Sequence, residues 1–140
     1  MLDPLGRLLT EVRDDADVSA LVSTRVRGFE PAPGDAKPAG SYQAFVVISA
    51  LSAARETRSP TARWTYGVRC YGSTPQNAMA VYAACSDAIH HIGPRLRASD
   101  GLGIYISHDI GGGSAEKDPD TQQPVVIFTV ELFATTVAVA

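Results

Sequence analysis

The sequence predicts an α+β domain: a mixed, mainly antiparallel sheet of four to five strands flanked by two main helices. Three observations carry that reading. Apolar residues recur at helical spacing in few stretches, strict alternation fills several others, and the strand-like segments lie next to one another in the chain.

Asp3 can cap a first helix whose first residue is Pro4, where a missing N–H does no harm. Leu5, Leu8, Leu9 and Val12 then form its apolar stripe. Asp14-Asp15-Ala16-Asp17 interrupts the stripe and starts a short second helix carrying Val18, Leu21 and Val22. Arg25-Val26-Arg27 leads out as a brief strand. From Glu30 to Ser41, three prolines and two glycines exclude regular structure and predict a long loop. The continuous run Ala44-Phe45-Val46-Val47-Ile48 suits a strand covered on both faces.

Ser52 to Thr61, with Arg55, Glu56 and Arg58, reads as a solvent-facing connection. Strict alternation follows. Trp64, Tyr66, Val68 and Cys70 share one face of a strand, while Arg63, Thr65, Gly67, Arg69 and Tyr71 share the other. Ser73-Thr74-Pro75 starts the second main helix, whose stripe is Ala78, Tyr82, Cys85, Ile89 and Ile92, and Gly93-Pro94 stops it. Leu102, Ile104 and Ile106 alternate in a short strand. Asp109 to Pro124, with glycines at 111–113 and an Asp118-Pro119-Asp120 turn, reads as a second long loop. The last strand alternates Val126, Phe128, Val130, Leu132 and Ala134 against Val125, Ile127, Thr129, Glu131 and Phe133, with Val137 and Val139 beyond it.

A chain of 140 residues fits one domain, 1–140. The charged share of 19% is low, as befits a surface that meets neighbours. With a net charge of −3, no excess of Lys and Arg is available to hold nucleic acid from outside. The start has no basic region before an apolar core, so no signal peptide is expected. No apolar run reaches the roughly 18–20 residues that span a bilayer, so no membrane partner is expected either. Cys70 and Cys85 lack metal-type spacing and read as two buried free thiols.

No constellation points to catalysis, and neither a cofactor nor a metal is expected. His90 and His91, with Asp87 a turn before, fall on the polar side of their helix, where they complement its C-terminal dipole. His108 beside Asp109 has no spacing relation to that pair. Gly111-Gly112-Gly113-Ser114 opens no helix, so a phosphate cradle is not expected there. Asp109, Glu116, Asp118 and Asp120 lack the spacing of a calcium loop. Both cysteines lie on core-facing positions. Weight shifts to surfaces: the last strand has large apolar residues on both faces, and a neighbouring subunit is expected to cover the one carrying Val125, Ile127 and Phe133.

An ordered set of features resembles the tail terminator (tail completion, head–tail joining) proteins of long-tailed phages. They are the amphipathic first helix, then Asp17-Val18-Ser19-Ala20-Leu21-Val22-Ser23-Thr24-Arg25-Val26, and a Pro-rich loop before Phe45–Ile48. The strand Thr65–Tyr71 then enters a capped helix containing Ala78-Met79-Ala80-Val81-Tyr82-Ala83, and a Gly-rich loop with Asp118-Pro119-Asp120-Thr121 precedes the closing strand. The resemblance implies a non-enzymatic virion protein, assembled in the host bacterial cytoplasm. It would form a typically sixfold homo-oligomeric ring on the last ring of tail-tube subunits. Its implied partners are itself, the tail-tube protein and the head–neck connector proteins, with genomic DNA passing through the lumen unbound.

Contacts are expected from the 30–41 loop, from the 109–124 loop through Gly111, Gly112, Gly113 and Asp118, from Arg63, Arg69 and Tyr71, and from Val125, Ile127 and Phe133. Shortening Gly111–Asp118 is expected to spare folding and spoil tail joining. The competing readings are another phage neck or minor tail protein and, from a different class, a small dimeric α+β ligand-binding protein or enzyme.

Overall fold

The computed structural model describes the backbone of residues 4–55, 62–90, 95–97, 102–109 and 112–136, and side chains over 4–52, 63–90 and 112–133. Asp3, His91, Ile92, the Gly93-Pro94 stop, Gly111, Val137 and Val139 lie outside those residues, as does Glu56–Thr61.

Helix α1 spans Leu5–Asp14, with Pro4 at its cap position rather than inside it. Leu5, Leu8 and Val12 are buried as their spacing requires, and Leu9 packs beside them. Asp15 ends α1 and caps α2, Ala16–Val22, its carboxylate accepting from the N–H groups of Asp17 and Val18. Val18 and Val22 bury the inner side of that short helix. Helix α3, Pro75–His90, begins at Thr74, whose hydroxyl accepts from Asn77 N–H, while the Asn77 side chain reaches back to Ser73 N–H. Its buried residues are Ala78, Val81, Cys85, Ala88 and Ile89; Tyr82 is half-buried at the margin, edge-on to Phe128 at 4.9 Å.

Seven strands hydrogen-bond into one mixed sheet among the described residues. They are β1 (Val26–Gly28), β2 (Phe45–Arg55), β3 (Ala62–Tyr71), β4 (Arg95–Arg97), β5 (Leu102–Asp109), β6 (Ser114–Lys117) and β7 (Pro124–Thr136). The order is β1-β2-β3-β7-β5-β4, with β6 also beside β7. Only the β1–β2 pairing is parallel; the others are antiparallel. The four long strands β2, β3, β5 and β7 are the body of the predicted sheet, and the short ones trim its margins.

The three helices lie on one face. There Val46, Ile48, Tyr66, Val68, Cys70, Val126, Phe128, Val130 and Leu132 meet Leu8, Val12, Val18, Val81, Cys85 and Ile89 in the main core. Each large side chain buried there contributes about 1.5–3 kcal/mol relative to exposure. The alternation seen in the sequence of β3 and β7 selects this face.

Two expected connections are strand instead. Ser52–Arg55 continues β2 past a bulge at Leu51 and pairs with Ala62–Thr65, so the hairpin is longer than its polar sequence implied. The supposed 109–124 loop likewise contains β6, which pairs with Pro124–Ile127. All four β6 side chains are exposed, so the strand leaves no hydrophobic alternation to read. Among the described residues of that segment, 112–113 and 118–123 remain outside strands. A deletion of Gly111–Asp118 would therefore remove a strand and disturb the fold, contrary to the expectation above.

Candidate interaction surface

The sheet face turned away from the helices has two halves. At one end Tyr71 stands between Phe45 and Val125 across the strands, and Arg69 between Val47 and Ile127. Phe45, Val47, Tyr71 and Val125 form a second small core, each no more than 3% exposed. The Phe45 and Tyr71 rings stack at 4.3 Å. All four are buried within the single subunit, so no neighbouring subunit is needed there, and Phe29 and Tyr42 tie the 29–43 loop to this end.

Polar tethers hold that loop. Asp35, buried, accepts from Ala32 N–H at 2.8 Å and from Arg27 Nε at 3.1 Å. The Gln43 amide donates to Gly34 and Asp35 carbonyls. Gln123, fully buried, donates to Gln43 O at 2.8 Å and Gly72 O at 3.2 Å, and Tyr42 donates its hydroxyl to Thr121 O. The Tyr42–Thr121 and Gln123–Gln43 tethers were invisible in the sequence, because partners some 80 residues apart leave no local pattern.

Arg69, Tyr71 and Asp118 form a connected group. Arg69 Nη1 donates to the Tyr71 hydroxyl at 3.1 Å, and Nη2 to Phe29 O at 3.2 Å. Tyr71 donates to Asp118 Oδ2 at 3.0 Å. Asp118 Oδ1 accepts from the N–H groups of Asp120 and Thr121, fixing the turn into β7. Burial by itself would raise the Asp118 pKa. The hydrogen bonds from Asp120, Thr121 and Tyr71, with the charge of Arg69, outweigh it and hold the carboxyl below its ordinary value. Burial raises the Tyr71 pKa above its ordinary value; the Asp118 carboxylate adds to this and Arg69 opposes it.

The other half of the face is open. It carries Gly67, Thr65 and Arg63 of β3 opposite Thr129, Glu131 and Phe133 of β7. Arg63 is exposed, and Phe133 is half-buried. Leu51, at the β2 bulge, lies over Gly67, its Cδ atoms 3.4 Å from where a Cβ would stand, and is 60% exposed. Phe29, at the loop's start, is 53% exposed and holds a positive φ of 65°, unusual for an aromatic residue. Its N–H is bound to Ile48 O and its carbonyl to Arg69.

The structure thus joins Arg69, Tyr71, Asp118, Val125 and Ile127 at the closed end and places Arg63 and Phe133 on the open half. Gly112 and Gly113 stand apart, beside α3. Gly112 has a φ of +65°, and a Cβ on Gly113 would lie 2.8 Å from Val126 Cγ1 and 3.0 Å from Tyr82. At Gly113 the Tyr82 ring of α3 and Val126 of β7 leave no room for a side chain. Near them, Pro75, Ala78, Ala115, Val125 and Val126 line a groove of about 300 Å³ whose titratable residues are Glu116 and Lys117. Among the described residues no group of three His, Cys, Asp or Glu side chains gathers to hold a metal, and no helix is long and apolar enough to cross a membrane.

No family model matches the chain, and no curated protein matches it in sequence. Among solved structures it is similar to a chain in the virion of a native gene transfer agent particle, with a TM-score of 0.70 over 91% of both chains and 17% identity. That likeness establishes the fold.

Proposed function

We propose that the protein is a structural, non-enzymatic subunit of a phage-like virion: a tail terminator that forms a ring at the head-proximal end of the tail tube. The near full-length fold likeness to a gene transfer agent virion chain is the observation that carries this reading. The order of sequence features and the half-open sheet face support it.

The mechanism is mechanical. One ring face matches the tube end, and the opposite face presents no equivalent surface for another tube subunit, so tube growth stops. Head-to-tail contacts between copies close by rotation and therefore limit their own number. The contact surface within the ring is the open half, through Leu51, Arg63 and Phe133. Tyr71 and Val125 act from inside the subunit by setting the loop and the turn. Phe29 and residues 30–41 face the tube or the neck. With a net charge of −3, the ring lets DNA pass without gripping its phosphates.

The test is the mass of the purified protein by light scattering at several concentrations, with and without preformed tail tubes, followed by negative-stain imaging. Open rings near six times the chain mass of 14.8 kDa, or caps at one end of each tube, are expected. A monomer or compact dimer that leaves tubes uncapped and growing would overturn the reading.

A further inference from the structure

The strand register gives each residue a height on the sheet. Ala50 stands level with Tyr66, Val130 and Asp109; Ala53 with Trp64, Leu132 and Ser107; Ala54 with Arg63, Phe133 and Ile106. Strand β1 covers the outer edge of β2 only at Val46–Ile48. Strand β4 covers the outer edge of β5 only at Leu102–Ile104. Among the described residues, the outer edges of 49–55 in β2 and 106–109 in β5 therefore have no strand beside them. These two stretches lie at the same height, on opposite sides of one sheet.

We infer that these edges carry the backbone part of the contact between neighbouring copies: residues 49–55 of one subunit pair as an antiparallel strand with residues 106–109 of the next. The inference rests on the ring reading above and names its interface. Direction comes first. Successive antiparallel pairings from β2 through β3 and β7 to β5 leave β2 and β5 running oppositely. Rotation about an axis along the strands keeps those directions, so the incoming β2 meets β5 antiparallel. Height comes second. Because the free edges are level, rotation without rise brings them together, and rotation without rise closes a ring where a rise would make a filament.

The β2 edge is also unguarded as far as Ala54, with a single charge, Arg55, at its end. Ser49-Ala50-Leu51-Ser52-Ala53-Ala54 contains no Lys, Asp, Glu or Pro, the residues that keep a free edge from pairing. The bulge turns Leu51 onto the open face next to that edge, where a neighbouring copy would bury it. Alternation identifies the available backbone groups. Val46 N–H reaches Arg25 O, and Ile48 O accepts from Phe29 N–H, so these residues direct their polar groups outward. The same parity extends to Ala50, and the extra residue at the bulge moves it to Ala53 and Arg55.

Amide hydrogen exchange of the full chain, assembled and dissociated, tests the pairing. Ala50, Ala53 and Arg55 should exchange slowly in the ring and at least tenfold faster in the dissociated subunit. Ser49, Ser52 and Ala54, bonded to β3, should be protected in both. Rings whose Ala50, Ala53 and Arg55 amides exchange as fast as in the free subunit would overturn the edge pairing and leave the ring intact; absence of any ring or tube cap removes both. Ala53→Pro deletes one outward N–H without touching the hairpin's own bonds, and should melt normally yet fail to assemble.

A cross-link fixes which edges meet. Within one copy, Ala53 and Ser107 are three strand spacings apart, about 14 Å, beyond disulfide reach. Ala53→Cys combined with Ser107→Cys should give a ladder of covalent multimers on oxidation, and either cysteine alone should give none. A dimer from Ala53→Cys alone would mean that two β2 edges pair across a two-fold axis, and the inference would be wrong.

Discussion

The Tyr71 hydroxyl donates to Asp118 Oδ2 at 3.0 Å, joining residues 47 apart and fastening the turn before β7 to the centre of the sheet. Tyr71 serves two roles: its ring stacks on Phe45 and its oxygen bridges Arg69 and Asp118. Tyr71→Phe keeps the stack and removes the bridge. The loss expected is about 1–2 kcal/mol, in the range for a hydrogen bond to a charged group in a partly exposed setting. Urea unfolding checks it, and a double-mutant cycle with Asp118→Asn should show the two losses to be less than additive.

The carboxylate sets a pH dependence. The folded-state pKa of Asp118 is depressed, so its contribution is fully present above the unfolded value and is lost as pH falls through the folded value. Wild-type stability should therefore decline below about pH 4. Asp118→Asn should be less stable at neutral pH and show a flatter acid limb. Parallel acid limbs in thermal melts between pH 5 and 2 would contradict this assignment.

The contrast between β3 and β6 shows what the sequence could disclose. In β3, helices cover one face, and the run Trp64, Tyr66, Val68, Cys70 records it, with the last three fully buried and Trp64 partly so. In β6, neither face is covered, so Ser114–Lys117 resembles a loop although it is held by β7. The same distinction separates the site residues. Arg69, Tyr71 and Val125 share a face by alternation alone, whereas Gln123 becomes visible only once its distant partners Gln43 and Gly72 are folded against it.

Gln123 is the most consequential of those tethers. It bonds the loop carbonyl of Gln43 and the β3-exit carbonyl of Gly72 from a fully buried position. Gln123→Ala leaves both carbonyls without that donor, and a buried group stripped of its partner costs about 1–3 kcal/mol. Amides within 30–43 should then exchange faster than those of the β2–β3 ladder. Equal acceleration throughout would mean that the residue supports the whole fold and not the loop in particular.

Three glycines rank by what surrounds them. A Cβ on Gly72 would collide with Ala78 N, a backbone atom at the α3 entrance that cannot move aside, so Gly72→Ala should prevent folding or cost several kcal/mol. Gly113→Ala meets side chains of Val126 and Tyr82 and should cost about 1–3 kcal/mol. Gly6, exposed inside α1 with nothing within 4 Å, should gain about 0.5–1 kcal/mol on substitution by alanine. Thermal melts of the three variants test the ranking.

The open half of the sheet separates folding from assembly. Leu51 is 60% exposed and Arg63 is exposed, so Leu51→Asp and Arg63→Glu remove little that the subunit itself needs. Surface changes of this kind stay within about 0.5 kcal/mol of the parent stability. In a ring the same positions are buried against a neighbour, where an unpaired charge is costly and a central anchor can account for 2 kcal/mol or more, roughly a thirtyfold change in association. Both variants should thus melt like the wild type and fail to assemble in light scattering, with Leu51→Asp the stronger because it places the charge beside the pairing edge. Melting unchanged with assembly also unchanged would place the subunit contact elsewhere on the molecule, whereas a large drop in melting temperature would show that Leu51 and Arg63 belong to the subunit's own packing.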